Sequence, residues 1–429
     1  MLRRRFVPVV LSSLLALGVL AAPVSAASGG LDTSFSGDGK AMIGFGAKSD
    51  ESVDAAVVQA DGRIVLAADR SVRGAASDIL MTRLTRQGAL DQTFSGNGWV
   101  AVNVRGAGLP TATAIDGDGA IVVVGSAETS SDSDAAILRL TARGALDRSF
   151  SGDGQFSLSF PSAKAYPQGV ATLPNGKILV VGGVDPNVGD SDMFVLRLTH
   201  DGHLDKTFSG DGRRVIDFAG MDDWGNAVAT DGSSIVVGGS QSNGLTTTTF
   251  AVARLTANGP LDGSFSGDGL ATVDALPGGV DYATALFVNG DGTYLLAGVG
   301  SPTDAYGIAF ARVTAAGLPD PTFGGGDGTL TSDPTGAEDY PGPAGIVRSG
   351  AKVVVAGASV GSVTKIQVLR YRADGSLDTG FGGGDGVVTT NIAPYSVAYA
   401  GAVTSKGKIV AAGRRAGKTD DLAVTRYLR

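Results

Sequence analysis

A phenylalanine opens the same short turn seven times, at Phe35, Phe94, Phe150, Phe208, Phe265, Phe323 and Phe381, with successive gaps of 59, 56, 58, 57, 58 and 58 residues. A period this regular marks a repeat array, in which one supersecondary unit is copied and each copy buries its apolar faces against its neighbours.

Each copy runs through the same segments. After the turn comes a short strand such as Lys40 to Phe45, then a polar loop and a small-residue apolar strand such as Val53 to Gln59. A tight Asp61-Gly62 turn leads into a nearly continuous apolar run, Arg63 to Ala68, matched by runs ending at Gly125, Gly183, Gly239, Gly298, Gly357 and Gly413. Strands apolar on both faces belong between layers. A last strand alternates around an arginine, as in Ile79 to Leu84. Four strands per unit, hairpin turns throughout and no helical period predict an all-β fold, a seven-bladed β-propeller of four-stranded antiparallel blades.

The rival architecture is an open solenoid, and a second spacing separates the two. Arg83, Arg139, Arg197, Arg254, Arg312 and Arg370 are each followed eight residues later by an aspartate: Asp91, Asp147, Asp205, Asp262, Asp320 and Asp378. Asp32 is left over near the start and Arg426 near the end, and a ring pairs them. Closure then has the first strand, Lys40 to Phe45, complete the last blade beside Leu422 to Leu428, so that no edge strand is left open at the seam. Repetition in every unit makes these ion pairs blade fasteners rather than catalytic groups.

The signature Asp-Gly-Arg/Lys-Ile-Val, followed by Arg-Leu-x-x-x-Gly-x-Leu-Asp-x-x-Phe, covers essentially all of Leu31 to Arg429 and resembles the delta-sixty repeat family of bacterial β-propellers. The resemblance implies the propeller fold and brings no activity with it. Pro319, in place of leucine before Asp320, and the short Thr230-Asp231-Gly232 hairpin depart from the pattern and predict local irregularity.

Arg3, Arg4 and Arg5, the apolar run from Phe6 to Ala22 and the small residues Val24-Ser25-Ala26 read as a secretory signal peptide over 1–26, leaving a single propeller domain over 27–429. An uncleaved membrane anchor is the competing reading; Pro8, Ser12 and Ser13 interrupt the run, and no other long apolar stretch follows. The expectation is a secreted or cell-envelope protein, a monomer with no transmembrane segment after cleavage. There is no cysteine, which excludes disulfides and thiolate metal sites. The formal charge of −8 becomes more negative once Arg3 to Arg5 are removed, which argues against a nucleic-acid partner.

The Phe35-Ser36-Gly37-Asp38-Gly39 turn has two readings, a calcium loop or a structural turn whose glycines take positive φ. Each copy offers one Asp or Asn, so the structural turn is expected, with no cofactor; Asp116-Gly117-Asp118-Gly119 and Asn289-Gly290-Asp291-Gly292 are somewhat richer. The only histidines, His200 and His203, fall in a turn and are read as solvated, leaving nucleophile triads and zinc hydrolases without material.

In an up-and-down blade the uniform turns share one face and the variable loops the other, and variable loops on a rigid scaffold carry binding. Aligning the start of each innermost strand there gives Ser52, Leu109, Tyr166, Trp224, Tyr282, Tyr340 and Tyr395. The five aromatics can ring the channel mouth and stack on sugars, or each can plug a gap between blades. The expected function is non-enzymatic binding of an extracellular glycan or protein through this face. The alternative is a carbohydrate-active hydrolase or lyase, for which two carboxylates from different blades must converge at the mouth; Asp50, Glu51, Asp222, Asp223, Asp281, Glu338 and Asp339 are the candidates.

Overall fold

The computed structural model describes residues 27–129, 132–186, 189–242, 247–301, 306–335 and 338–429; the expected signal peptide at 1–26 lies outside the described residues. Among the described residues the chain is strands and turns without a helix, and so no helix is long and apolar enough to cross a membrane. A short first strand, β1 (Lys40–Ile43), precedes four strands β2 to β5 (Ser49–Val58, Ile64–Val72, Asp78–Leu84, Trp99–Val102). The pattern recurs in β6 to β9 (Ala107–Ile115, Ile121–Glu128, Ser133–Leu140, Gln155–Leu158) and β10 to β13 (Ala163–Thr172, Ile178–Pro186, Asp192–Leu198, Arg213–Ile216). Next come β14 to β17 (Asp223–Thr230, Ser234–Ser242, Thr248–Thr256, Leu270–Val273) and β18 to β21 (Val280–Val288, Tyr294–Ser301, Gly307–Val313, Thr329–Ser332). The chain ends with β22 to β25 (Glu338–Ser349, Lys352–Val360, Lys365–Tyr371, Val387–Thr390) and β26 to β28 (Ser396–Val403, Ile409–Arg415, Asp421–Tyr427).

Each set pairs antiparallel in chain order, giving four-stranded sheets consistent with a β-propeller. Single parallel bridges, Thr248 to Val280 and Ala344 to Ala400, join two pairs of neighbouring sets. The fourth partner of β26, β27 and β28 is β1, in the register Lys40 to Thr425 through Ile43 to Leu422. First strands of successive sets touch in the order β2, β6, β10, β14, β18, β22, β26, and β26 also touches β2.

The second strand of each set shows why its sequence is apolar without alternation. Leu66 and Ala68 of β3 pack with Val410, Ala412 and Val424 of the last set, whereas Val65 and Ala67 pack with Val123 and Leu138 of the next. Successive side chains point to opposite faces, and here both faces are covered.

The glycines that close these runs have a steric cause. The first strand of each set carries a β-bulge, as between Trp224's neighbours Gly225 and Ala227. A Cβ at Gly125, Gly298 or Gly413 would lie 2.0 to 2.1 Å from the carbonyl oxygen of Leu109, Tyr282 or Val397, closer than any real contact. Ala68 stands at the corresponding register in the first set, opposite Val53.

The phenylalanine turns lock the sets together. In the Arg83 unit, Nε donates to Asp91 Oδ2 at 2.8 Å, the guanidinium lies 4.9 Å over the Phe94 ring, and Nη1 donates to the carbonyl of Ala142 in the following unit. The Nε to Oδ2 distances are 2.7 Å for Arg197 and Asp205, 3.0 Å for Arg254 and Asp262, 2.6 Å for Arg312 and Asp320, and 2.7 Å for Arg370 and Asp378. Arg426 and Asp32 meet at 2.7 Å. Arg139 departs from the pattern: its Nε is 3.4 Å from Asp147 without a hydrogen bond, because Nη2 turns to the buried Asp116 at 2.9 Å.

In the turn, Ser36 has φ 51° and Gly37 and Gly39 have φ 85° and 86°, left-handed backbone that glycine adopts freely. Asp38 Oδ1 accepts the Lys40 N–H at 3.0 Å, and Asp153, Asp211, Asp268, Asp327 and Asp385 make the same bond two residues on. Pro319 keeps the bridge to Val313 that leucine makes to the equivalent residue elsewhere, so the expected irregularity is absent there.

Candidate functional site

Residues from the first strand of each four-stranded set, β2, β6, β10, β14, β18, β22 and β26, line a cavity of about 680 Å³. Its wall comes from the bulges. The extra residue of each bulge breaks the strict alternation and turns a side chain toward the cavity. Asp54, Thr111, Gln168, Asn226, Thr284 and Tyr399 occupy these places, and all line the cavity among small apolar neighbours such as Ala56, Ala112 and Gly401. Thr111 Oγ1 donates to the Pro167 carbonyl at 2.8 Å and Asn226 Nδ2 to the Ala283 carbonyl at 2.8 Å, which fixes them between adjacent strands. Thr284 Oγ1 is buried without a partner. None of these was a candidate from sequence; the available signal was a polar residue recurring at one register inside a small-residue strand.

The aromatic candidates form local groups. Tyr166 and Trp224 have ring centroids 5.8 Å apart, and Tyr340 meets Tyr306 edge-on at 5.7 Å. Tyr282 lines the cavity, and burial first, then Tyr340, holds its phenol well above the ordinary range. Tyr395 is a correction. Opposite Arg414, the register places Val397 where the other strands carry Ser52, Leu109, Tyr166, Trp224, Tyr282 and Tyr340. Tyr395 lies two residues earlier, exposed, in a bridge with Thr364.

Four carboxylate candidates also move. Asp223, Asp281 and Asp339 are fully buried and Glu51 is 1% exposed. Each sits one residue before a mouth position, so alternation aims it between sheets. There Asp281 Oδ2 accepts the N–H groups of Ala275 and Leu276 at 2.7 and 2.8 Å, and Asp339 Oδ1 accepts from Thr335 and Gln367. The side chain of Glu338 lies outside the described residues. His200 is likewise not merely solvated: its Nε2 lies 2.9 Å from Asp118 Oδ2, and its carbonyl accepts from Arg139 at 2.7 Å. The Asp116, Asp118 and His200 group thus already holds a cation, the Arg139 guanidinium.

Charged groups converge at the mouth where the first and last repeats meet. Asp50, Ser52 and Asp69 of the first repeat and Arg414 and Asp420 of the last line a hollow of about 250 Å³ that shares Ser52 with the cavity. Arg414 Nη1 pairs with Asp420 at 2.6 Å, and Nε has no partner. Asp54 Oδ2 accepts the Asp69 N–H at 2.9 Å. Burial first, then the Asp69 charge, pushes Asp54 well above the carboxylate range, against the pull of Arg414. Burial also raises Asp69, again opposed by Arg414. Tyr399 lies within reach of Arg414 and Tyr395; burial raises it foremost, and Arg414 opposes.

Residues 59–94, 117–150, 173–208, 233–265 and 352–381 match the family described as "Domain of unknown function (DUF5122) beta-propeller". The match supports a β-propeller domain of unknown function. No curated protein matches the chain in sequence. Similar solved structures include a protein of unknown function from Dyadobacter fermentans, with TM-score 0.48 and 11% identity over 91% of this chain and 98% of that one. Another is the polysaccharide lyase Uly1, with TM-score 0.48 and 13% identity over 88% and 90% of the two chains. A third is a PL25 ulvan lyase bound to a GlcA-Rha3S saccharide, with TM-score 0.47 and 11% identity over 90% and 95%. At such values the likeness carries no activity to this propeller.

Proposed function

We propose that the chain is a secreted, closed seven-bladed β-propeller of the delta-sixty type that binds an acidic extracellular glycan at the variable-loop mouth of its channel. Closure is supported by the cyclic contact order of the first strands and by β1 pairing with β28. The Arg and Asp pairs then serve as blade fasteners, since each guanidinium is shared between its own blade and the next.

The observation that carries the binding reading is the Arg414 guanidinium, paired with Asp420 through Nη1 and lining the mouth hollow beside Tyr395, Tyr399 and a polar channel wall. A guanidinium recognises carboxylate and sulfate in a fork geometry, and aromatic faces stack on sugar rings. A screen of the purified chain against neutral, uronate-bearing and sulfated glycans tests it: preference for acidic glycans that weakens in Arg414→Ala supports the reading, and equal binding by the variant overturns it.

A second reading, a carbohydrate-active hydrolase or lyase, is favoured by the same cluster. Asp54 and Asp69 are held toward the protonated form beside Tyr399, which places proton donors next to a cation able to neutralise a uronate. Incubation with the glycans that bind, followed by measurement of new reducing ends and ultraviolet-absorbing unsaturated products, separates cleavage from binding.

A further inference from the structure

The junction between the third and fourth repeats brings together three carboxylates, a grouping that no other junction matches among the described residues. Asp192 begins β12, Asp217 follows β13, and Asp223 begins β14 of the next repeat; one oxygen from each lies within 4.8 Å of the others. Asp223 is fully buried. Its Oδ2 accepts the Phe218 N–H at 2.6 Å, and its Oδ1 accepts nothing. A buried carboxylate oxygen without a donor is costly unless something positive completes it.

The repeats supply internal controls. The same three registers hold Thr249, Asp274 and Asp281 at the next junction and Asp78, Asn103 and Gly108 at the first, where Asn103 Nδ2 donates to Asp78 Oδ1 at 3.0 Å. At the junction after β20 they hold Gly307, Asp333 and Asp339. Asp281 Oδ1 and Asp339 Oδ2 are also buried without a donor, but elsewhere a neutral residue stands at one of the three registers. At Asp192, Asp217 and Asp223 none does, and the donors there are backbone groups, the Phe218 N–H to Asp223 and the Gly220 N–H to Asp217 Oδ1 at 2.6 Å. The charges acting on Asp192 and Asp223 are those of further carboxylates, Asp190 and Asp222, beside their mutual repulsion. Asp222 is itself engaged, its Oδ1 accepting the Ser191 N–H at 2.8 Å.

We infer that Asp192, Asp217 and Asp223 form a calcium site that ties the third repeat to the fourth. Hard oxygen donors from separate segments, one of them the solvent-exposed Asp217, suit calcium, which completes its shell with water, better than the strict octahedron of magnesium. Because Trp224 follows Asp223 directly, the ion also steadies one of the mouth aromatics. The site stands independently of the glycan reading.

The test is calorimetric titration and thermal unfolding of the EDTA-treated full chain with calcium chloride. The expected result is one calcium per chain at a Kd of about 10⁻⁴ to 10⁻³ M, as in extracellular modules. Tm should rise with calcium concentration. Asp192→Asn, at the less buried edge, weakens binding at least about tenfold, as loss of one charged ligand implies, while Asp274→Asn at the next junction leaves it unchanged. No Tm response up to about 10 mM calcium, well above the Kd range of such modules, overturns the inference. So does an equal response to sodium chloride of matched ionic strength, or unaltered calcium binding by Asp192→Asn.

Discussion

Arg426 donates through Nε to Asp32 Oδ2 at 2.7 Å, joining residues 394 apart in sequence, and both side chains are about 95% buried. Lys408 reaches the same oxygen at 2.6 Å, and the Arg426 guanidinium covers the Phe35 ring at 4.6 Å. The first and last repeats are thus fastened by the Arg and Asp pair that recurs along the chain. Removing one partner leaves a buried charge uncompensated, which costs about 3 to 5 kcal/mol. Arg426→Ala should therefore lower stability by that order in denaturant unfolding, and Asp32→Asn added to it should cost much less than the sum. A loss below about 0.5 kcal/mol, the range of an ordinary surface change, would falsify the latch.

Acid should unfold the protein through these fasteners. Burial alone raises Asp378, but hydrogen bonds from Lys352, the Gly380 N–H and Arg370 outweigh it and hold it at about 2. A folded pKa below the unfolded value of about 3.9 gives stability that is present above pH 4 and lost as pH falls toward 2. Asp281 works in the opposite sense: burial, then Asp274, raises it to about 6, against the Leu276 and Ala275 amides. Its folded form holds a proton the unfolded chain releases, so stability declines as pH rises from about 4 to about 6. Tm measured from pH 2 to 8 should fall at the acid end, and Asp281→Asn should flatten the decline between pH 4 and 6 and leave the acid limb in place.

The repeat and its strands were legible because each is a local pattern written seven times, and the Arg to Asp spacing because it is written six times. The inner wall was not, and the reason is the bulge. One added residue reverses which side of a strand a side chain faces. Asp54, Gln168 and Asn226 reach the channel for that reason. Asp223, Asp281 and Asp339, adjacent to the mouth aromatics in sequence, are directed between sheets by simple alternation. Tyr395 lies off the mouth register because an aromatic residue does not mark it; the pairing of Ala398 with Gly413 does, and it selects Val397.

The contact between Gly183 and Trp224 explains one glycine of the apolar runs and can be tested alone. A Cβ at Gly183 would lie 2.4 Å from Trp224 Cε3, so the indole, whose ring centroid is 5.8 Å from that of Tyr166, must shift. Gly183→Ala should cost about 1 to 3 kcal/mol, the usual range for overpacking, and change the tryptophan fluorescence. Gly117→Ala, where nothing lies within 4 Å, should be neutral in both measurements. Unchanged fluorescence in Gly183→Ala would place Trp224 elsewhere.

Arg414 separates a recognition role from a structural one. Its pair with Asp420 is partly exposed, with side chains 35% and 25% accessible, so the pair itself adds little stability, about 0 to 1 kcal/mol. Hydrogen bonds to charged groups are worth about 1.5 to 3 kcal/mol, which corresponds to about 10- to 150-fold in affinity. Arg414→Gln should therefore reduce affinity for an acidic glycan by that range and leave Tm nearly unchanged. Arg414→Lys, which keeps the charge and loses the planar fork, should fall between them. Titrations of the three proteins at low and high salt provide the check. A glycan that binds Arg414→Gln as tightly as the parent contacts the propeller somewhere other than this mouth.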